Sequence, residues 1–240
     1  MCVGFEGIFG EKLMIVFPEN WHGIGHCVSG YEIGEAISTA IQKFNVRNLS
    51  LSGGVDSTLL LYFMKQVLGD SIHCYTIALD DTHPDYVYAK MSAEFFGAEF
   101  HPYILGKSID GDGCVKAFYN QLAADGVKEI IAGDGIDEFS CGYYSHQKDQ
   151  SEQNYVSWIR KLHTEQLVPL NENSGDVSVY LPYLSPDVIA LLSLVPLFEK
   201  VDSSCRKKIM VEMATGNIPD KIIKRWKFGF CDAGSRKDLK

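Results

Sequence analysis

Residues 48–68, NLSLSGGVDSTLLLYFMKQVL, decide the fold. A short run with alternating apolar residues at 48–52 reads as a strand, and 57–68 carries apolar residues at three and four spacing, which reads as a helix. Between them lies Ser52-Gly53-Gly54-Val55-Asp56-Ser57-Thr58, a glycine-rich turn that runs directly into the helix. Outward from this unit, strand signals recur at about 13–17, 72–79, 99–104 and 128–133. Helical periodicity fills 31–45, 85–97 and 114–124, each stretch ending near a glycine or a polar stop. Strands alternating with helices predict an α/β fold, a parallel sheet with crossover helices on its faces.

After residue 140 the strand signal fades, and 151–164, 186–198, 203–215 and 219–226 read as helices, giving a helical C-terminal half. The stretch 171–177, NENSGDV, has no apolar periodicity and is expected to be a mobile loop.

Composition agrees with a globular chain: 240 residues, 46% apolar, 22% charged. No apolar run approaches the ~18 residues of a membrane span, and the opening MCVGFEGIFGEK lacks the basic start of a signal peptide, so a cytoplasmic location without membrane partners is expected. Seven cysteines without a CxxC pair suit reduced, buried thiols rather than a disulfide frame or a zinc site. The net charge of −9 disfavours nucleic acid as a partner, yet residues 206–240 hold ten Lys or Arg against four Asp or Glu. That basic segment reads either as a solvated helix or as a source of positive charge for a bound polyphosphate.

In open parallel sheets ligands bind beyond the carboxyl ends of the strands. After the first core strand, the glycines at 53 and 54, the hydroxyls of Ser52 and Ser57 and a helix N-terminus together favour phosphate, although a plain strand-to-helix turn capped by Asp56 or Ser57 uses the same residues. After the fourth comes Ala132-Gly133-Asp134-Gly135-Ile136-Asp137-Glu138, with three carboxylates. Acids beside a phosphate repel it unless a hard cation such as Mg²⁺ lies between; otherwise the string is a solvated acidic turn. Other motifs fail. Gly106-Lys107-Ser108 ends like a Walker A loop but has His101 at the earlier glycine position. Asp110-Gly111-Asp112-Gly113 lacks the closing Glu of a calcium loop, Gln121 standing there. His22, His26 and Cys27 lack a clear fourth metal ligand.

Leu51-Ser52-Gly53-Gly54-Val55-Asp56-Ser57 resembles the SGGxDS pyrophosphate loop of the N-type ATP pyrophosphatases (PP-loop ATPases), whose fold is adenine nucleotide alpha hydrolase-like. Gly133 to Glu138 followed by Cys141-Gly142-Tyr143 is similar to the SGEGxDE…GGY segment of asparagine synthetase-type synthetase domains. Leu181-Pro182-Tyr183-Leu184 resembles that family's PFLD turn, and Ile218-Pro219 through Arg225-Trp226-Lys227-Phe228-Gly229-Phe230 its R-x-K-x-GF terminus. Four motifs in this order imply one synthetase domain over 1–240: an extension over 1–30, a nucleotide-binding core over 31–150 and a helical part over 151–240 that bears the substrate site and the lysine.

The resemblance implies an ATP- and Mg²⁺-dependent amide ligase that adenylates a carboxylate, aspartate or another acid, and transfers ammonia or an amine to it. Ser52, Gly53, Gly54, Asp56 and Ser57 would cradle pyrophosphate, and Asp56 and Asp137 would ligate Mg²⁺. Leu51, Ile77, Ala132 and Gly133 fall where the family holds adenosine. Lys227 matches its charge-stabilising lysine, and Asp134 is an acid/base candidate where many members have Glu. Tyr180 and Ser185 depart from the family's Arg and Asp around PFLD. The glutamine-dependent relatives carry a glutaminase domain, whereas about 47 residues precede the first core strand here. Cys2 is similar in position to the nucleophile of those glutaminases but lacks their fold around it, so the nitrogen is expected from ammonia, an amine or a separate glutaminase partner. Competing readings are a PP-loop enzyme that aminates or thiolates a nucleobase or other carbonyl, and a non-catalytic ATP-binding protein.

Overall fold

The computed structural model describes residues 28–109, 111–225 and 233–234, with the backbone of 5–6 and 12–13. Strands β1 (Phe5–Glu6) and β2 (Lys12–Leu13) pair antiparallel; the rest of the strand expected at 13–17 lies outside the described residues. Helix α1 (Gly30–Phe44) opens on a capping box, Ser29 accepting from the Glu32 N–H while the Glu32 carboxylate accepts from Ser29. Its buried Ile33, Ile37, Ala40 and Ile41 follow helical spacing, and Asn45 ends it in the left-handed region.

The core then alternates as expected: β3 (Asn48–Ser50), α2 (Val55–Leu68), β4 (His73–Ala78), α3 (Pro84–Phe96), β5 (Glu99–Ile104), α4 (Asp112–Ala124) and β6 (Glu129–Ile131). The first turns of α2 and α4 recruit residues that the periodicity assigned to loops, including Asp112 of the failed calcium motif. Two strands, β1 and β7 (Ser178–Tyr180), escaped the sequence reading. β7 pairs parallel with β6, so the sheet has five parallel strands in the order β5-β4-β3-β6-β7. With only three residues, none of them buried, β7 carries no hydrophobic pattern.

Two apolar layers cover the sheet. Leu49, Leu51 and Ile131 pack with α1, α2 and α3 on one face, whereas Tyr75, Ile77 and Ile130 meet Cys114, Phe118 and Leu122 of α4 on the other. Successive strands step outward from β3 to β5, and the chain then crosses back to place β6 on the opposite side of β3. β3 and β6 therefore flank the point where the strand order reverses, which in open α/β sheets opens a crevice beyond the carboxyl ends. Both glycine-rich loops leave from these two strands.

The rest of the described residues are mainly helical apart from β7: α5 (Ile136–Ser140), α6 (Tyr144–Lys148), α7 (Glu152–Lys161), α8 (Val168–Ser174), α9 (Pro186–Leu194), α10 (Leu197–Lys200), α11 (Lys208–Ala214) and α12 (Asp220–Ile223). A π-helical stretch, 162–167, joins α7 to α8 directly before Pro169, whose missing N–H could not have bonded back to Glu165. The expected mobile loop at 171–177 is corrected in part: Asn171 to Ser174 form the end of α8, and only 175–177 turn into β7. Cys74, Cys114 and Cys141 are buried thiols and Cys205 a half-buried one; Cys2, Cys27 and Cys231 lie outside the described residues. Among the described residues no helix is long and apolar enough to cross a membrane.

Candidate active site

The first loop is shaped by its glycines. Gly53 has φ +67°, and a Cβ there would lie 2.3 Å from the backbone of Tyr88 and Ala89, so the loop presses against α3 at a position that only glycine can fill. The Ser52 N–H donates to the Ser57 Oγ at 3.2 Å, and the Ser57 hydroxyl donates to the Gly54 carbonyl at 3.3 Å. Helix α2 starts at Gly54 without a side-chain cap, so its positive N-terminal end has no competing oxygen from its own cap residue.

The second loop leaves β6 through Ala132 and Gly133, and a Cβ on Gly133 would sit 3.9 Å from that of Asp56. The two loops thus touch. Leu181-Pro182-Tyr183-Leu184 fastens them together: the buried Tyr183 hydroxyl donates to the Asp56 carbonyl at 2.8 Å, while Leu184 occupies the space a side chain on Gly135 (φ +86°) would need. Burial first, then the Asp56 and Asp137 charges, pushes the Tyr183 hydroxyl well above its ordinary pKa, so it stays a donor.

Asp56 and Asp137, one from each loop, converge on a side chain that none of the sequence motifs singles out. The Lys207 ammonium lies 2.5 Å from Asp56 Oδ2 and 2.5 Å from Asp137 Oδ1, and the lysine is buried. Desolvation works against its charge, but the attraction of Asp137 and Asp56 outweighs it and holds the ammonium above its ordinary pKa. Gly142 makes the arrangement possible, because a Cβ there would fall 1.7 Å from Asp137 Oδ1 and 2.3 Å from the Lys207 Cε. Two further cations stand nearby. Arg206 donates to the Gly142 carbonyl and lies 3.7 Å from the Tyr144 ring centroid. Arg225 donates to the Ser52 carbonyl at 2.6 Å and pairs with the buried Asp85, its guanidinium 4.9 Å from the Tyr88 ring centroid. Ser52, Gly54, Asp56, Arg206, Lys207 and Arg225 line a cavity of about 130 Å³ at the start of α2.

The residues present fit a hard divalent cation. Among the described residues Asp56 Oδ1 is buried with no hydrogen-bond partner, and its carboxylate already shares one cationic charge with Asp137. Of the sequence-predicted residues, Ser52, Gly54 and Asp56 line the cavity, and Gly53, Ser57 and Gly133 build the loops around it. Leu51 and Ala132 are buried beneath the loops at the ends of their strands. Ile77 lies in the apolar cluster facing α4, outside the cavity lining. Asp134 is half-buried, and its charge helps raise the Tyr119 and Tyr143 hydroxyls, whose largest cause is burial. Lys227 lies outside the described residues. Lys207 and Arg206 went unassigned in the sequence, where the only signal for them was the local excess of positive charge after residue 205, and Gly142 was read as part of a motif without this role.

Residues 33–110, from α1 to just past β5 and including the first loop, match the family model for asparagine synthase. No curated protein matches the chain. Among solved structures, an NH₃-dependent NAD synthetase from Campylobacter jejuni aligns at 17% identity with a TM-score of 0.38, covering 69% of this chain and 92% of its own. A tRNA thiolase from Methanococcus maripaludis, solved with its iron–sulfur cluster, aligns at 13% identity with a TM-score of 0.41, covering 87% and 82%. Both are distant, and the fold assignment rests on the strand order and the loops themselves.

Proposed function

With residues 33–110 matching the asparagine synthase family as premise, we propose that this protein is an ATP-dependent ligase that forms amides with release of AMP and pyrophosphate. A substrate carboxylate oxygen attacks the α-phosphorus of ATP and pyrophosphate departs. Ammonia or an amine then attacks the acyl carbon of the adenylate, loses a proton, and expels AMP.

The observation that carries this reading is the Asp56–Lys207–Asp137 cluster at the strand-order reversal, beside a cavity lined by two arginines and the uncapped start of α2. Polyphosphate chemistry needs both halves of that arrangement: cationic and N–H groups that hold the anion, and acids that hold a metal ion against it. Ser52, Gly53, Gly54, Asp56 and Ser57 would take the pyrophosphate, with Leu51, Ile77, Ala132 and Gly133 towards adenosine. Mg²⁺ held by Asp56 and Asp137 would neutralise charge on the departing group. Before nucleotide arrives, Lys207 keeps the two carboxylates from repelling each other across the crevice. Lys227 would stabilise developing negative charge, Asp134 would serve as acid or base, and a separate glutaminase is one source of the ammonia.

Phosphorus NMR of the protein with ATP, Mg²⁺, ammonium and L-aspartate, with mass spectrometry for asparagine, tests the reading. AMP and pyrophosphate are expected, and Asp137→Asn is expected to abolish their Mg²⁺-dependent release. Asparagine would identify aspartate as the acid. ADP and phosphate in place of AMP, or AMP release undiminished in Asp137→Asn, would overturn the assignment.

A further inference from the structure

At the opposite end of the sheet from the glycine-rich loops, the first residues of β4 and β5 face each other, His73 beside Glu99 in the parallel register. His101 comes two residues after Glu99 and so projects from the same face of β5. The three side chains converge. His73 Nδ1 lies 3.1 Å from His101 Nε2 and 3.3 Å from Glu99 Oε2, and His101 Nε2 lies 3.8 Å from the same carboxylate oxygen. Tyr75 fixes the second imidazole by stacking on it, with centroids 4.7 Å apart and planes within 17°. Among the described residues this is the one group of three or more His, Cys, Asp or Glu whose donor atoms lie close enough together to share an ion.

Hydrogen bonds alone serve this triangle poorly. An imidazole nitrogen carries at most one hydrogen, so a proton on His73 Nδ1 can point at His101 or at Glu99 but not well at both. The line from His101 to Glu99, at 3.8 Å, is too long for a hydrogen bond. One cation at the centre would satisfy all three lone pairs. The spacing agrees with that: a tetrahedral ion with bonds of about 2.0 to 2.1 Å holds its ligand atoms roughly 3.3 Å apart. The three observed separations bracket this value, and small side-chain rotations equalise them.

We propose that His73, Glu99 and His101 form a second metal site, a two-histidine, one-carboxylate centre that takes a divalent transition ion, foremost Zn²⁺, with water in the fourth position. Two imidazoles select a borderline ion over Mg²⁺ or Ca²⁺, which take oxygen ligands. The side chains are one third to two thirds accessible, so an ion can enter and keep a water. Among the described residues strand β5 pairs only with β4 and forms an edge of the sheet, and an ion joining His73 to Glu99 and His101 clips that edge in register.

Cobalt(II) reports the site directly, because a tetrahedral Co²⁺ ion absorbs strongly in the visible and an octahedral one weakly. Titration of the metal-free protein with Co²⁺ is expected to give an intense band that saturates at one equivalent and is displaced by Zn²⁺. Calorimetry with Zn²⁺ is expected to show affinity weakened at least ~10-fold in both His101→Ala and Glu99→Gln. The second variant keeps the shape of the side chain, and far-UV circular dichroism checks that both fold. The band should persist in Asp56→Asn. No band, a weak octahedral spectrum, a band that survives His101→Ala, or one lost in Asp56→Asn would each overturn the site.

Discussion

Two buried lysines seven residues apart behave in opposite ways. Lys207, just before α11, is bracketed by Asp56 and Asp137, whereas Lys200, at the end of α10, donates at 2.7 Å to the Tyr155 hydroxyl and lies 4.4 Å from that ring centroid, with no carboxylate in ion-pairing reach among the described residues. Burial lowers Lys200 to about 8, opposed only weakly by the Cys141 thiol, while the same burial at Lys207 is overcome by two carboxylates. Depth in the protein therefore does not decide whether an ammonium survives; its partners do. The buried ammonium between two acids holds its proton well past neutral pH, whereas the one beside a hydroxyl is packed into the core by its stem and loses its proton more readily.

Lys207→Met should produce the largest effect on stability, because it leaves Asp56 and Asp137 facing each other without a counter-charge. A loss of ~3 to 5 kcal/mol in urea unfolding is expected with a chelator present, and Mg²⁺ should recover part of it. A loss below ~1 kcal/mol would show that the lysine does not neutralise the acids.

Next comes Lys200→Met. An unfolded lysine titrates near 10.5 and the folded Lys200 near 8, so between these values the unfolded chain binds the extra proton and stability rises with pH. Each pH step of one across that window is worth up to ~1.4 kcal/mol, so the wild-type protein should gain a few kcal/mol relative to the variant. Lys207, displaced the other way, contributes no slope there, since its contribution is complete below 10.5 and is lost only as pH climbs through its raised folded value. Parallel pH profiles for wild type and Lys200→Met would break the contrast between the two lysines.

Tyr183→Phe should cost least. Removing its hydrogen bond to the Asp56 carbonyl is expected to lower stability by ~1 to 2 kcal/mol in thermal unfolding with the fold unchanged. No loss would mean that the turn at 181–184 holds the loops through Leu184 alone.

The alternation of strands and helices from 31 to 133 was legible because the helices and β3, β4 and β6 bury apolar residues, while β5, with none buried, rests Phe100 and Tyr103 on the two clusters. So was the meeting of Asp56 and Asp137, which follows from loops leaving two neighbouring strands. β7 was not legible, since it has only three residues, none of them buried, too few to show a pattern although Val179 and Tyr180 rest on the apolar clusters. Lys207 stayed hidden for a different reason: Arg206-Lys207-Lys208 looks like a solvated charge run, and only the tertiary fold separates the buried middle residue from its neighbours. Arg225 and Tyr183 were seen as parts of motifs, but their targets, the Ser52 and Asp56 carbonyls, are backbone atoms that no side-chain pattern announces. His73 and His101 sit on separate strands 28 positions apart, a distance over which metal-ligand spacing rules are silent.

The Arg225 hydrogen bond to Ser52 spans 173 positions. A ribosome adding about 5 to 20 residues per second needs roughly 10 to 35 seconds to cover that interval. For that time the glycine-rich loop exists without its clamp, and the nascent chain holds a half-built crevice that only the late arrival of residues 183, 207 and 225 completes. The crevice is thereby complete only once Arg225 has been made, and a chain cut before it lacks that clamp.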